Sequence, residues 1–366
     1  MKFIINKNNL SAAVNNLSRA VATKSAIPVL EGIFIKAGND TLTLTAYNLE
    51  LSMTKTEHCR VVKEGSVVIN AKLLGEILRR LSADEVVLEC DDKLMCHITC
   101  GSAKFDIMGM AAADYPEIPE QPDSADIVID GEQLKRLVRQ TGFAVAQIEG
   151  TRPILTGINV SVENGLLKFV AIDGYRLAIR QEPIKCEQEF NIVVSSKAIT
   201  DAVKILSEEQ EQVKLRISKR NISFEINGYV LISRLLEGEF VDYKKVIPQT
   251  FMQTIELSTR QFIDIIERIS LIISDNFSTP LRCMFKEGEV MFTSASSVGR
   301  ATETAEINLQ GPDFEIGLNN RYLLDALRAC ETDTVSVKFN GGSSAVIIKP
   351  LKGDDFIYMV MPMKLK

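Results

Sequence analysis

Residues 69–81 read INAKLLGEILRRL. Asn70 is a small polar residue of the kind that caps a helix, and Leu73, Leu74, Ile77, Leu78 and Leu81 follow at helical spacing. An amphipathic helix is therefore predicted over 70–82. Closely similar text comes twice more, as VVSSKAITDAVKIL at 193–206 and IGLNNRYLLDALRAC at 316–330, with Ser195 and Asn319 in the capping position. The registers agree, since Lys72 and Lys197 are 125 residues apart and Asp201 and Asp325 are 124 apart. Repetition at this period decides the organisation of the chain.

A second triplet lies upstream of each copy: NNLSAAVNNLSRAV at 8–21, GEQLKRLVRQTGFAV at 131–145 and TRQFIDIIERISLII at 259–273. Leu10, Val14, Leu17 and Val21, then Leu134, Leu137 and Val138, then Phe262, Ile265, Ile266 and Ile269 form the apolar stripes of helices predicted over 8–24, 130–142 and 258–270. Ser258 followed by Gln261 has the form of a capping box. Between the helices run β-rich stretches such as GIFIKAGNDTLTLTAYNLELS, GINVSVENGLLKFVAIDGYRLAI and CMFKEGEVMFTSAS, broken by Gly-Asn-Asp, Glu-Asn-Gly and Glu-Gly turns, which makes them hairpins. Because hairpins come in groups, antiparallel sheets follow. The predicted fold class is α+β, with three repeated domains of about 120 residues, each holding two helices and antiparallel sheets. Their boundaries are read as 1–122, 123–248 and 249–366, with seams at PEIPEQPDSAD and KKVIPQT, where proline and polar residues interrupt the pattern.

With 366 residues, 46% hydrophobic and 25% charged, the chain is long enough for several ordinary cores. No run approaches the roughly eighteen apolar residues of a membrane span, so a soluble, cytoplasmic protein is expected. Seven scattered cysteines argue against a disulfide framework and fit a reducing compartment. Two histidines, His58 and His97, leave little for imidazole catalysis, and no nucleotide-binding or nucleophile-elbow pattern is present, so no enzyme activity and no cofactor is expected. Cys96, His97 and Cys100, with Cys90 nearby, are the one cluster of metal-ligand type. On a strand Cys96 and Cys100 share a face while His97 points away, which disfavours a shared zinc site. Asp91, Asp92, Asp354 and Asp355 read as turn residues.

Charge is sorted by element type. The six predicted helices carry fourteen Lys or Arg against seven Asp or Glu, a net +7 in a chain of net −6, so strands and loops carry −13. Each second helix repeats one row: Lys72, Glu76, Arg79; Lys197, Asp201, Lys204; Arg321, Asp325, Arg328. For a single helix, intrahelical ion pairing on a solvated face explains such a row. Recurrence in three copies instead suggests a common basic surface suited to a polyanion, through sequence-independent and salt-sensitive phosphate contacts. A scaffold that binds proteins alone is the alternative, and it needs no basic face.

The closing text, FIYMVMPMKLK at 356–366, crowds apolar side chains where chain ends are usually frayed and polar. It is read either as the last strand of a sheet or as the lining of a site. In the middle copy Asp173 and Gly174 stand at an expected tight turn, whereas the first copy has LTAYNLELS there, without that turn chemistry.

MKF at 1–3, SAIPVLEGIFI at 25–35, GFAVA and TRPILTGI at 142–158, FVAIDGYRLAI at 169–179, EGEFVDYKKVIP at 237–248 and YMVMPMKL at 358–365 together resemble the bacterial sliding clamps, the β subunits of replicative DNA polymerase III, along the whole chain. The resemblance implies a head-to-tail homodimer that closes a ring around duplex double-stranded DNA, with the helices lining the hole. By matching position, Lys24, Lys72, Arg79, Arg80, Gln147 and Lys197 would face the DNA. Phe105 and Ile107 of one copy would meet Ile272 and Ile273 of the other. A cleft for short apolar peptides of the polymerase, the clamp loader and repair proteins would use Arg152, Leu155, Ile172, Gly174, Tyr175, Arg176, Leu177, Val241, Val246, Tyr322, Val360, Met361, Pro362, Met363 and Leu365. Departures from the family pattern are Val241 for a proline, Ile172 for a threonine, Lys364 for an arginine, and the extra Lys366.

Overall fold

The computed structural model describes residues 1–147, 152–206, 212–273 and 279–365. The first repeat runs β1 (Lys2–Asn6), α1 (Lys7–Leu17), β2 (Gly32–Gly38), β3 (Thr41–Tyr47), β4 (Leu51–His58), β5 (Arg60–Lys63), β6 (Gly65–Asn70), α2 (Ala71–Arg80), β7 (Glu85–Cys90), β8 (Met95–Cys100), β9 (Ala103–Met108). The second runs β10 (Ile127–Asp130), α3 (Gly131–Arg139), β11 (Gly157–Glu163), β12 (Leu166–Ile172), β13 (Arg176–Pro183), β14 (Phe190–Ser195), α4 (Ser196–Val203), β15 (Gln212–Ile217), β16 (Asn221–Ile226), β17 (Tyr229–Arg234). The third runs β18 (Gln253–Ser258), α5 (Thr259–Ser270), β19 (Leu281–Lys286), β20 (Glu289–Ser296), β21 (Gly299–Glu306), β22 (Phe314–Leu318), α6 (Asn320–Ala329), β23 (Thr334–Phe339), β24 (Val346–Pro350), β25 (Phe356–Val360), β26 (Pro362–Met363).

All six predicted helices form, with local reasons visible at their starts. The Asn70 carboxamide accepts the Leu73 amide at 3.0 Å, Asn319 accepts those of Arg321 and Tyr322, and Ser258 accepts that of Gln261, which satisfies first-turn donors. The stripes bury as expected, through Leu10, Val14, Leu74, Ile77, Leu78, Leu134, Leu137, Phe262, Ile265, Ile266 and Ile269, each fully buried aliphatic side chain contributing about 1.5–3 kcal/mol. Three details differ from expectation. Helix α1 ends at Leu17 and passes through a 3₁₀ turn (Ser18–Ala20), because the Ser18 hydroxyl bonds back to Val14 O and the Ala22 amide is taken by Leu30 O; Lys24 is therefore on a loop. Leu73, at the edge of its stripe, stays 43% exposed. Asp201 is buried, so the charged row of α4 is not wholly on its outer face.

The hairpins use two-residue turns with left-handed backbone at both centres: Asn39 and Asp40, Asn164 and Gly165, Asn227 and Gly228. This geometry matches strand twist and favours asparagine, aspartate and glycine. Strand pairing is antiparallel, and the elements group into two compact units. Met1–Glu132 with Ala198–Leu235 holds a five-stranded sheet, order β5-β1-β7-β8-β9, and an eight-stranded one, order β10-β15-β16-β17-β4-β3-β2-β6. Gln133–Lys197 with Leu236–Lys366 holds an eight-stranded sheet, order β14-β11-β12-β13-β25-β24-β23-β18, and a five-stranded one, order β21-β20-β19-β22-β26. The middle repeat thus supplies two four-stranded sets, while the first and third each supply one set of four and one sheet of five. The middle repeat gives one to each unit.

The cysteines carry one surprise for the disulfide expectation. Cys90 and Cys96 lie opposite each other on β7 and β8 and their sulfurs are joined, while Cys59, Cys100, Cys186, Cys283 and Cys330 are free. Cys96 and Cys100 point inward and His97 outward, as the strand alternation requires. Among the described residues, no helix is long and apolar enough to cross a membrane.

In the second unit a buried Glu182 receives Arg136 at 2.6 and 2.7 Å and Arg180 at 3.1 and 2.7 Å. Burial alone would raise its carboxyl pKa, but the hydrogen bonds and charges of the two guanidiniums outweigh burial and hold it below the ordinary value. A depressed folded-state pKa contributes stability above the unfolded value of about 4.3, and that contribution is lost as pH falls through the folded value. Glu182→Gln is expected to cost about 3 kcal/mol at neutral pH and to flatten the acid decline, as read by urea unfolding at pH 7 and below pH 4.

Candidate functional site

The turn between β12 and β13 is built by Asp173. Its carboxylate accepts the amides of Tyr175 at 2.8 Å and Arg176 at 2.9 Å, and its own amide donates to Arg176 O. Gly174 between them has φ +92°, a left-handed value that favours glycine. The expectation that the first repeat lacks this turn is corrected here. Asn48 makes the same bonds, to Glu50 and Leu51, with Leu49 at φ 75°. An asparagine side chain can imitate the aspartate, so the backbone repeats and the side chains differ. Arg176 occupies the place of buried Leu51.

Around that turn the structure collects one apolar surface. Ile172, Leu177, Ile347 and Met359 form a buried cluster, with Leu155, Val241, Phe240, Tyr243, Ile247 and Phe251 packed partly exposed against it. The tail closes one side. β25 is an interior strand against β13, the Met361 amide donates to Tyr175 O at 2.8 Å, and Pro362–Met363 add a short edge to β22. A Cβ on Gly317 would come 2.7 Å from Met363 O and 2.8 Å from a Leu365 methyl, so the close approach of the tail depends on glycine there. The tail is thus a strand, as one of the two readings has it, and its Met361, Pro362, Met363 and Leu365 remain exposed or half-exposed.

The polar rim centres on Arg176. Its Nε bonds Asp173 at 3.0 Å and its Nη1 bonds Asp325 of α6 at 2.5 Å. The guanidinium lies 4.4 Å from the centre of the Tyr322 ring and 5.6 Å from that of Phe143, and Tyr175, 63% exposed, stacks on Tyr322. Burial, then the Asp173 charge, pushes the Tyr322 hydroxyl above its ordinary pKa. Of the expected cleft residues, Leu177 is fully buried in that cluster, whereas Val360, also buried, pairs with Arg176 on the other face of β25. Arg152 and Val246 are exposed at the ends of short turns. Phe143, Phe240, Tyr243, Phe251 and Asp325 were not expected; the aromatic residues lie in connecting segments, where no periodicity marks them.

In the first unit, Lys72 and Arg79 line an open groove between α1 and α2 together with Asn8, Ser11 and Asn15. At Gly75 a Cβ would meet Val14 at 3.7 Å, an ordinary packing distance, so the approach of the two helices does not require glycine there. Arg80 is exposed and pairs loosely with Glu76 at 3.8 Å. Lys24, Gln147 and Lys197 are each exposed. Over the observed helices the net charge is +6 against −12 elsewhere, so the sorting of charge survives the shorter helix bounds.

Phe105 and Ile107 are on β9, an edge strand, with Phe105 36% exposed. Ile272 and Ile273 follow α5, half-exposed, and Ile272 lies 4.0 Å from where a Cβ on Gly299 of β21 would be. β21 is an edge strand too. None of the four belongs to a core.

Comparison with known proteins agrees along the full length. Models of the N-terminal, central and C-terminal domains of the DNA polymerase III beta subunit match residues 1–119, 128–242 and 244–364. The chain is 30% identical to the beta sliding clamp of Bacillus subtilis and 29% identical to that of Halalkalibacterium halodurans, each alignment covering 100% of both chains. Among solved structures, the Bacillus subtilis sliding clamp superposes with a TM-score of 0.96 at 30% identity, and a Pseudomonas aeruginosa clamp bound to griselimycin with 0.92 at 25% identity, each over 100% of both chains. With all three domain models matched in order and the full length aligned to clamp relatives, the chain belongs to the DNA polymerase III beta subunit family, the bacterial sliding clamps.

Proposed function

We propose that this chain works as a sliding clamp: two copies close a ring around duplex DNA and tether the replicative polymerase and other replication and repair proteins in the cytoplasm. The observation that carries closure is the state of the sheet edges. In the first eight-stranded sheet β17 pairs antiparallel with β4, and in the second β25 pairs antiparallel with β13. By position in the repeats, β9, β17 and β25 are one kind of strand, and β4, β13 and β21 are the other. Two junctions of this kind lie within the chain, and β9 and β21 are the unused halves of a third. A second copy supplies both partners, and head-to-tail joining at two junctions closes a ring with neither kind of junction strand left over. The same equivalence supports reading the chain as three repeats, 1–122, 123–248 and 249–366.

The internal junctions also supply a register. Leu231 opposes Met53 and Ile232 opposes Ser52; Tyr358 opposes Ala178 and Met359 opposes Leu177. Carried to the free edges, Phe105 falls opposite Ala301 of the second copy and Asp106 opposite its Arg300. One Asp106 oxygen already holds His97 at 2.5 Å, which leaves the other for the arginine. Basic helix faces carrying Lys72, Arg79, Arg80 and Lys197, with Lys24 and Gln147 nearby in the family pattern, meet phosphates without reading sequence. The apolar surface beside Tyr175 and Met363 receives short peptides, its methionines adapting to several partners. The ring itself makes and breaks no bond; tethering acts through effective concentration.

Loaded on a nicked circle, the protein is expected to stay bound and to be lost on linearisation; equal retention on both would exclude encirclement. Asp106→Arg and Arg300→Asp are each expected to weaken the dimer about fivefold per junction, and the double reversal to restore it, as measured by sedimentation. Additive weakening in the double variant would refute the register.

A further inference from the structure

We propose that Asp325, which meets the peptide surface through Arg176, is the positioning residue that sets that surface in its receptive shape and ties it to the charge of α6. The inference rests on the peptide-cleft reading and extends it. All three second helices carry an acid at the same place: Glu76, Asp201 and Asp325. Glu76 pairs with Arg80 and Asp201 with Lys204, each on or just past its own helix. Asp325 instead reaches across to Arg176, 149 positions earlier in the chain, at 2.5 Å.

The Arg176 side chain is only 13% exposed, and a guanidinium so placed needs compensating charge. Asp173 offers one carboxylate, whose Oδ1 holds the amides of its own turn and whose Oδ2 takes Nε of the guanidinium. Asp325 supplies the second and fixes the direction of the guanidinium plane over Tyr322, which lies one helical turn before it. Tyr175 stacks on that ring, and the carbonyl of Tyr175 holds the Met361 amide. The order therefore passes from α6 to the turn and on to the tail. Without Asp325, Arg176 can swing toward solvent, and the two tyrosines lose the plane that orders them.

Asp325 also lies between Arg321 and Arg328, in the charged row of α6. Its neutralisation adds one positive charge to that row. Asp325→Asn is thus expected to move two readouts in opposite directions, which a residue with a purely structural role would not do. The peptide surface weakens, and low-salt affinity for duplex DNA rises with a steeper salt dependence.

The test uses the full-length dimer and two probes: a fluorescein-labelled peptide of leucine and phenylalanine flanked by serines, and a labelled duplex oligonucleotide of random sequence. Asp325→Asn is expected to weaken the peptide about tenfold and to tighten DNA a few-fold at low salt, with sedimentation unchanged. Asp325→Glu, which keeps the charge, is expected to recover most of the peptide affinity. Met363→Ala with Leu365 removed serves as the control that must weaken the peptide and leave DNA alone. If the wild type and that control bind the peptide equally, or neither binds, the cleft reading fails and takes this inference with it. If the control weakens binding and Asp325→Asn does not, the inference alone is overturned. Loss of peptide, DNA and dimer together in Asp325→Asn also overturns it.

Discussion

A row of unpaired backbone amides and carbonyls along a sheet edge is the constraint that organises this molecule. Edge strands attract whatever strand can complete them, and a chain of repeats always leaves one of each kind at its two extremes. Here the same antiparallel junction is used at β17 with β4 and at β13 with β25. The middle repeat is consequently divided between two compact units, each completed by half of it. The junction strands left unpaired, β9 and β21, carry half-exposed apolar groups beside opposite charges, which suits a second copy better than water.

Function built on closure asks little of the DNA contact. The helices carry net +6 in an otherwise acidic chain, enough to hold a phosphate backbone loosely and too little to fix the protein at one place. The proposed function places recognition elsewhere, at the apolar surface beside the Asp173 turn. There the energetic contributions are of a different type: burial of leucine and methionine side chains, framed by Arg176 between two carboxylates and two aromatic rings. The separation lets binding of partners vary without loosening the ring.

Much of this was legible in the sequence. Helical stripes, capping asparagines and two-residue turns are local signals, and they hold wherever local hydrogen bonding decides, as at Asn70, Asn319 and the Asn164–Gly165 turn. The tail was legible as apolar, and the structure makes it a strand paired with β13. Other features needed the third dimension. The Asn48 turn was missed because asparagine followed by leucine is a weak turn signal, and only the backbone shows Leu49 in the left-handed region. The early end of α1 depends on the Ala22 amide finding Leu30 O, a contact with no periodic trace. Asp325 looked like one member of a solvated row, since nothing in the text says that its carboxylate meets an arginine 149 residues away. Likewise the equivalence of edges is invisible until the strand order is known.

The most direct measurement of the central claim is a covalent one. Directly opposed residues in an antiparallel pair have Cα atoms about 4.5–5.5 Å apart, within reach of a disulfide. With Cys59 and Cys186 replaced by serine, Lys104→Cys combined with Thr302→Cys is expected to give, on mild oxidation, a dimer that survives a non-reducing denaturing gel and stays on circular DNA in denaturant. A monomer band, or an equal yield from the shifted pair Lys104→Cys with Arg300→Cys, would contradict the joining of the two edges.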